Sequence, residues 1–312
     1  MESKNNWKAW LYLAPVIILL SVFTFFPIIN TFVISFIKDY DYVLGNSGGF
    51  SFDNYIEILS PNGMFFDDVI RTALPNTLLL TFVTVPVSII LSLAIAICLN
   101  SIKALKKVFQ TIFFMPYVTN AIAIGMVFSI IFDTQYGLFN ALFGTQGFPW
   151  ISYNQQTGAA VNYWSAFFAI CFYIVWHSLP YKILIFLGGL QNVDNQYYDA
   201  AKIDGASRFK TVMKVTIPLL SPQILYIMIT SFIGAFKEYN SVIGLFGTGG
   251  GSFDINSSGF GASSMRTVVY FIYDQIAANQ VQYASAAAVL LFVIILIFTG
   301  IQFKVSKKRV HY

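Results

Sequence analysis

Few residues in this sequence have types and spacings that could do chemistry. The two histidines, His177 and His311, are far apart, with no cysteine or second histidine near either, so no metal site is expected. The two cysteines, Cys98 and Cys171, sit inside apolar runs and read as small apolar residues, not as a disulfide framework or a CxxC site. No Ser/His/Asp spacing makes a nucleophile, and the apolar segments carry no paired carboxylates for acid–base work. A Gly-x-x-x-x-Gly-Lys-Ser/Thr phosphate loop does not occur, so ATP hydrolysis by that route is excluded; the glycine run 249–251 lacks the lysine and reads as a flexible turn. What remains is polar chemistry inside apolar runs: Phe236, Lys237, Glu238 and Asn240 in one, His177, Ser178, Tyr181 and Lys182 in another. A charge at the centre of a membrane helix costs about 2.5–3.5 kcal/mol by insertion scales, so such residues mark a functional site by default. On a continuous helix Lys237 and Glu238 point about 100° apart, one toward a wet cavity and the other toward a neighbouring chain, while Asn240 shares the side of Lys237. An aromatic plane, an ammonium and an amide together suit a hydroxyl-rich solute such as a sugar; the same groups also suit a polar network between helices. Lys182 lies near the end of its run, where snorkelling explains it.

The elements that must hold these residues are set by composition. The chain has 312 residues, 57% hydrophobic and 10% charged, with a mean hydropathy of +0.68. A soluble domain carries about 25% charged residues, so this chain cannot cover a water-facing surface and is an all-α membrane protein. Six apolar stretches are long enough to cross: 10–36, 77–100, 109–132, 163–187, 223–246 and 283–303. The first has a signal-peptide look but is too long for one and is read as a retained helix, kinked at Pro15 and Pro27. Lys and Arg concentrate on alternate loops: thirteen of the 18 fall in the N-terminus, 101–107, 188–222 and the tail, and only Lys38, Arg71 and Arg266 in the opposite loops. Both termini are therefore expected in the cytoplasm. The net charge of +4 reflects this asymmetry, not a nucleic-acid surface. Lys103–Lys107 and the basic tail are expected to meet anionic lipid heads. The external stretch 45–59, with Phe50, Phe52, Tyr55 and Ile56, reads as local packing, as a small lid or as a contact for an external protein.

The segment after the fourth stretch is too long and polar for a plain linker. Asp194 can cap a short helix, Gly205 can end it with φ > 0, an apolar face resumes at Phe209, Val212, Met213 and Val215, and Pro218 sets the entry to the fifth stretch. Two short helices around a glycine turn either dock into a groove of a soluble partner or lie on lipid headgroups.

At these residues the chain resembles the permeases of ATP-binding-cassette importers. Asp199-Ala200-Ala201, three residues, Gly205, nine residues, then Val215-Thr216-Ile217-Pro218 is similar to the family's Glu-Ala-Ala…Gly…Ile-x-Leu-Pro motif, without a gap. It departs at Asp199 for Glu, Val215 for Ile and Ile217 for Leu, and the shorter carboxylate limits its reach. Asn76-Thr77, Gly137-Leu138-Phe139-Asn140, Gly188-Gly189-Leu190-Gln191, Thr248-Gly249-Gly250-Gly251 and Tyr283-Ala284-Ser285-Ala286, in that order, resemble the sugar branch, the maltose/glycerol-3-phosphate type. Relative to the longer maltose subunit, extra N-terminal helices and a large external domain are missing.

The resemblance implies a type I importer transmembrane domain with a permease core at 75–303, an N-terminal helix and external loop at 1–74, and a cytoplasmic tail at 304–312. It implies that 188–222 holds a coupling helix, with Asp199, Ala200, Ala201, Asp204, Gly205, Ala206 and Pro218 serving the contact to an ATPase. By the same resemblance Phe236, Lys237, Asn240, His177, Ser178 and Tyr181 fall at substrate-contact positions. The expected function is non-catalytic passage of a carbohydrate, an oligosaccharide, across a bacterial cytoplasmic membrane. The expected partners are a second permease, two ATPase subunits that hold ATP and Mg, an external solute-binding protein and membrane lipid. The competing readings are a permease for an anionic or non-sugar solute such as glycerol phosphate, and an ion-driven secondary transporter. The latter needs mid-membrane carboxylates, for which only Glu238 qualifies, and usually an internal repeat, of which none is evident.

Overall fold

The computed structural model describes residues 6–41, 48–102, 106–145, 147–152, 161–247 and 264–306. The glycine run 249–251, Thr248, Lys103 and the tail from Lys307 to His311 lie outside them. Every named element is helical, and the one β contact among the described residues is an isolated antiparallel bridge between Ile37 and Phe50.

The first apolar stretch is α1 (Asn6–Leu20), a π-helical turn (Ser21–Phe25) and α2 (Phe26–Ser35), together one 26-residue span from Trp10 to Ser35. Pro15 sits inside α1, which stays helical around it. Pro27 is absorbed differently. The Phe26 N–H reaches back to the Ser21 carbonyl, widening the ladder just ahead of a ring that has no N–H and crowds the carbonyl four residues earlier. A short helix, α3 (Asp53–Leu59), follows. A second π-helical segment (Asp67–Ala73) leads into α4 (Leu74–Ser101), giving a 35-residue span.

The third stretch departs from expectation. It is not one helix but α5 (Lys106–Val118) and α6 (Ala121–Ile131), bent by 104°. The cause is local: Pro116 weakens the end of α5, and the Asn120 side chain accepts from the N–H groups of Ile122 and Ala123, starting a new helix. The short α7 (Leu138–Phe143) precedes α8 (Tyr163–Gln191), capped by Asn162. Then come α9 (Asn195–Ile203), α10 (Arg208–Thr211), a π turn (Val212–Thr216) and α11 (Ile217–Leu219).

The fifth stretch is also corrected. Helix α12 (Ser221–Phe236) stops at Phe236, and α13 (Asn240–Phe246) begins only after a break at Lys237-Glu238-Tyr239. At its other end α12 meets the segment Arg208–Leu219 at a 70° bend. Helices α14 (Val268–Ala277) and α15 (Val281–Ser306) complete the described chain. Among the described residues, four helices are long and apolar enough to cross a membrane, or up to six if each bent pair is one span.

The chain divides into two compact units. One draws on Met1–Ile70 and Phe271–Val293. Its core joins Ile58, Phe65 and Val69 to Phe271, Ala286 and Ala287. Here the stretch around α3 packs back on the end of α2: Phe36 stacks on Phe50 at 5.3 Å, and Asn54 Nδ2 donates to the carbonyls of Ser35 and Ile37 at 3.0 and 2.9 Å. Lys38 and Asp53 form an exposed ion pair at 2.8 Å, whose hydrogen bond and charge raise the lysine pKa and lower that of the carboxylate.

The other unit draws on Arg71–Tyr270 and Ile294–Tyr312. Helix α8 packs along α4 over a core that includes Ala96, Leu99, Ile183, Phe186 and Leu187. A second core gathers Phe128, Phe132, Ile170, Tyr173 and Val242. Between α6 and α13, Gly125 meets Gly244: a Cβ on Gly125 would lie 2.7 Å from the Gly244 Cα. Only two glycines let these half-helices approach so closely.

Candidate functional site

A cavity of about 310 Å³ lies among α4, α5, α8 and α12, with a hydroxyl-rich wall. Helix α4 supplies Thr84 and Ser88, part of a stripe of buried hydroxyls at Thr77, Thr81, Thr84, Ser88 and Ser92. The spacing of three to four residues puts them on one face, a pattern visible in sequence and overlooked there. The two lining hydroxyls can donate along their own helix, Thr84 to the Leu80 carbonyl at 2.7 Å and Ser88 to Val85 at 2.9 Å, which leaves their lone pairs for the cavity.

Helix α8 brings His177, Ser178 and Tyr181 to this cavity, as expected for solute-facing residues. It also brings Lys182, which the sequence reading assigned to the membrane surface. That assignment is overturned. Lys182 is 5% exposed, and its Nζ donates to Ser88 Oγ on α4 and to Ser178 Oγ at 3.2 Å. Helix α8 runs to Gln191, which places Lys182 deeper than the expected end at 187 implied. No carboxylate lies within 4 Å of its nitrogen among the described residues. His177 Nε2 is buried without a hydrogen-bond partner. Tyr181 stacks on Tyr117 of α5 at 5.7 Å and shares a 3.0 Å hydroxyl contact with Tyr226 of α12. The sequence had given no reason to single out either tyrosine.

The second expected group is not brought to the cavity. Phe236 is 1% exposed and packs edge-on against Phe298 at 5.5 Å, so its ring offers no open face. Lys237 and Asn240 are exposed and do not line the cavity. The helical geometry expected to align them is absent, because Lys237 is the residue on which α12 ends. Glu238 lines the cavity instead, and its Oε1 accepts from the Ser241 N–H at 2.9 Å, capping α13. Its carbonyl accepts from Thr267 Oγ1 at 2.6 Å.

A buried polar knot holds the same unit beyond the cavity. Asn76 Nδ2 donates to the carbonyls of Ser264 and Arg266 at 2.7 and 3.0 Å, and Tyr163 donates to Asn76 Oδ1 at 2.9 Å. Thr77 Oγ1 accepts from the Val268 N–H at 3.0 Å. Asn140 plays a similar part between α6 and α8, donating to Thr134 and Phe148 carbonyls and accepting from Trp150.

The 194–218 loop forms as its residues demand. Asp194 accepts from the Gln196 N–H, starting α9. Gly205 takes φ +68°, its N–H reaches the Lys202 carbonyl at 3.0 Å, and Ala206 N–H reaches that of Ala201 at 2.9 Å. This is a Schellman ending, and φ > 0 is what calls for glycine. Asp204 closes the helix, donating to the Ala200 carbonyl. Ala201 is buried, while Asp199 is exposed and paired with Lys202 at 2.8 Å. Pro218 sits in the first turn of α11, where its missing N–H is harmless. Thr216 Oγ1 contacts Tyr198 Oη at 3.4 Å, tying α9 to the returning segment. Ile203, Phe209 and Met213 remain exposed.

Comparison with known proteins returns one family, described as binding-protein-dependent transport system inner membrane component, matching residues 88–312. The arabinooligosaccharides transport system permease protein AraP of Bacillus subtilis is 32% identical over 95% of this chain and 88% of its own length. The multiple sugar-binding transport system permease protein MsmF of Streptococcus mutans is 31% identical over 97% of each chain. Among solved structures, a chain of a bacterial alginate ABC transporter in complex with an alginate pentasaccharide-bound periplasmic protein matches with a TM-score of 0.76 at 17% identity, covering 98% of this chain and 96% of the other.

Proposed function

We propose, from the premise that this chain belongs to the family of binding-protein-dependent transport system inner membrane components, that it passes a carbohydrate, an oligosaccharide, across a bacterial cytoplasmic membrane by alternating access. Relatives named for arabinooligosaccharides and for multiple sugars, at 31–32% identity over nearly the whole chain, support that solute class. The chain is a transport component, not an enzyme. In this reading it crosses six times with both termini inside, counting each bent pair as one crossing. A second permease, two ATPase subunits carrying ATP and Mg, an extracytoplasmic binding protein and surrounding lipid complete the assembly. The permease core is 75–303, preceded by the helix and loop of 1–74 and followed by the tail 304–312.

The observation that carries the coupling role is the α9–Gly205–α10 turn. Its exposed apolar side chains, Ile203 and Phe209, with Met213 just past it, are left uncovered among the described residues, which suits an ATPase groove. Asp199, Ala200, Ala201, Asp204, Gly205, Ala206 and Pro218 are assigned to this contact. His177, Ser178 and Tyr181 are assigned to the solute path. Phe236, Lys237 and Asn240 pass from that path to a supporting role around the α12–α13 break. Gly205→Asp adds a side chain at φ +68° and a charge at the tip. It should leave the chain in the membrane and abolish solute uptake by cells; normal uptake would contradict the coupling assignment.

A further inference from the structure

We infer that the cavity is built for a carbohydrate that carries a carboxylate, with the Lys182 ammonium as its binding group. This rests on the carbohydrate reading above and narrows it. The argument begins with the bonds of one nitrogen. An ammonium has three N–H donors and no acceptor. Two donors of Lys182 are placed, on Ser88 Oγ and Ser178 Oγ. Each serine hydroxyl can itself donate to a backbone carbonyl, Ser88 to Val85 and Ser178 to Val175, so both present lone pairs to the lysine and hold it in place. The third donor has no protein acceptor among the described residues, and no carboxylate neutralises the charge. Lys182 lines the cavity, so the open donor has a solute within reach.

The one carboxylate among the described lining residues, Glu238, forms no ion pair with Lys182. The contact of Tyr181 with Tyr226 sets the register of α8 against α12 beside Lys182. Glu238 follows the end of α12, twelve residues after Tyr226 in the chain. There it is engaged by Ser241. The wall thus carries one ammonium and one carboxylate that do not pair with each other. Neutral hydroxyls would be served by the threonines, serines and tyrosines of the wall alone. A buried ammonium held open by two serines adds recognition of negative charge.

The test uses the assembled importer, purified with its partner chains and binding protein and placed in liposomes. Uptake is measured for uronate-containing disaccharides of gluco, galacto and manno configuration, each beside its carboxyl-reduced neutral counterpart. The expected result is import of an acidic member at least tenfold faster than its neutral match. Lys182→Met should lower the ratio of acidic to neutral uptake at least tenfold, while Lys182→Arg should retain most of that ratio. Neutral members imported as well as or better than acidic ones would overturn the inference and leave the carbohydrate reading standing. A ratio unchanged in an assembled Lys182→Met complex would also overturn it. If no sugar-loaded binding protein stimulates uptake or ATP hydrolysis, the carbohydrate reading itself fails. Should Lys182→Met not assemble, as judged by co-purification of its partners, the wild-type pairs decide.

Discussion

Asn76 shows how much one amide can hold. It bonds two carbonyls and a phenol at once, and it is fully buried. Asn76→Ala should destabilise the purified assembly by about 1–3 kcal/mol, because it leaves buried acceptors without donors. Tyr163→Phe removes only one of the three bonds and should lose about 1 kcal/mol or less. Thermal unfolding in detergent distinguishes them, and equal melting temperatures for all three proteins would refute the knot. Residue chemistry was legible in the sequence where a local rule applied. Asp194 as a cap and Gly205 as a left-handed stop needed only the backbone's own demands. Lys182 was misread because its depth depends on where α8 ends, and its serine partner Ser88 is 94 residues away. Nothing near Lys182 in the chain announces Ser88.

At the scale of elements, two apolar stretches that hydropathy reads as continuous are bent or broken. A window of about 20 residues averages over a two- or three-residue interruption when both flanks are apolar. The signs were present as residue types: Pro116 with Asn120, and Lys237-Glu238 in an apolar run. The charges were read as facing outward from a helix, when they mark where the helix stops. The short helices α6 and α13 then pack through Gly125 and Gly244. Gly125→Ala places a Cβ against backbone, which cannot step aside, and should destabilise by about 1–3 kcal/mol. Gly300→Ala in α15 meets nothing within 4 Å and should be neutral or stabilise by about 0.5–1 kcal/mol. Melting curves of the two variants test the contrast; similar losses would show that the glycine contact is not selective.

For the whole molecule, the distribution of Lys and Arg predicts the orientation. With Cys98 and Cys171 replaced, Ser207→Cys should react with a membrane-impermeant maleimide only from the cytoplasmic side, and Tyr136→Cys only from outside. The reverse labelling would invert the topology and remove the coupling loop from reach of any cytoplasmic ATPase. The all-helical, apolar character and the glycine turn at Gly205 were readable from composition and spacing, since both follow from local sequence. The cavity was readable only in part, because α4, α5, α8 and α12 meet there from distant parts of the chain.

Helix α12 is bounded by a 70° bend at its start and by the Lys237-Glu238-Tyr239 interruption at its finish. It is a stiff strut about 24 Å long, jointed at both ends. Such a strut carries thrust along its axis and passes on little torque. A displacement entering at the Pro218 end would travel along this axis toward Glu238, where α13 takes over after the interruption.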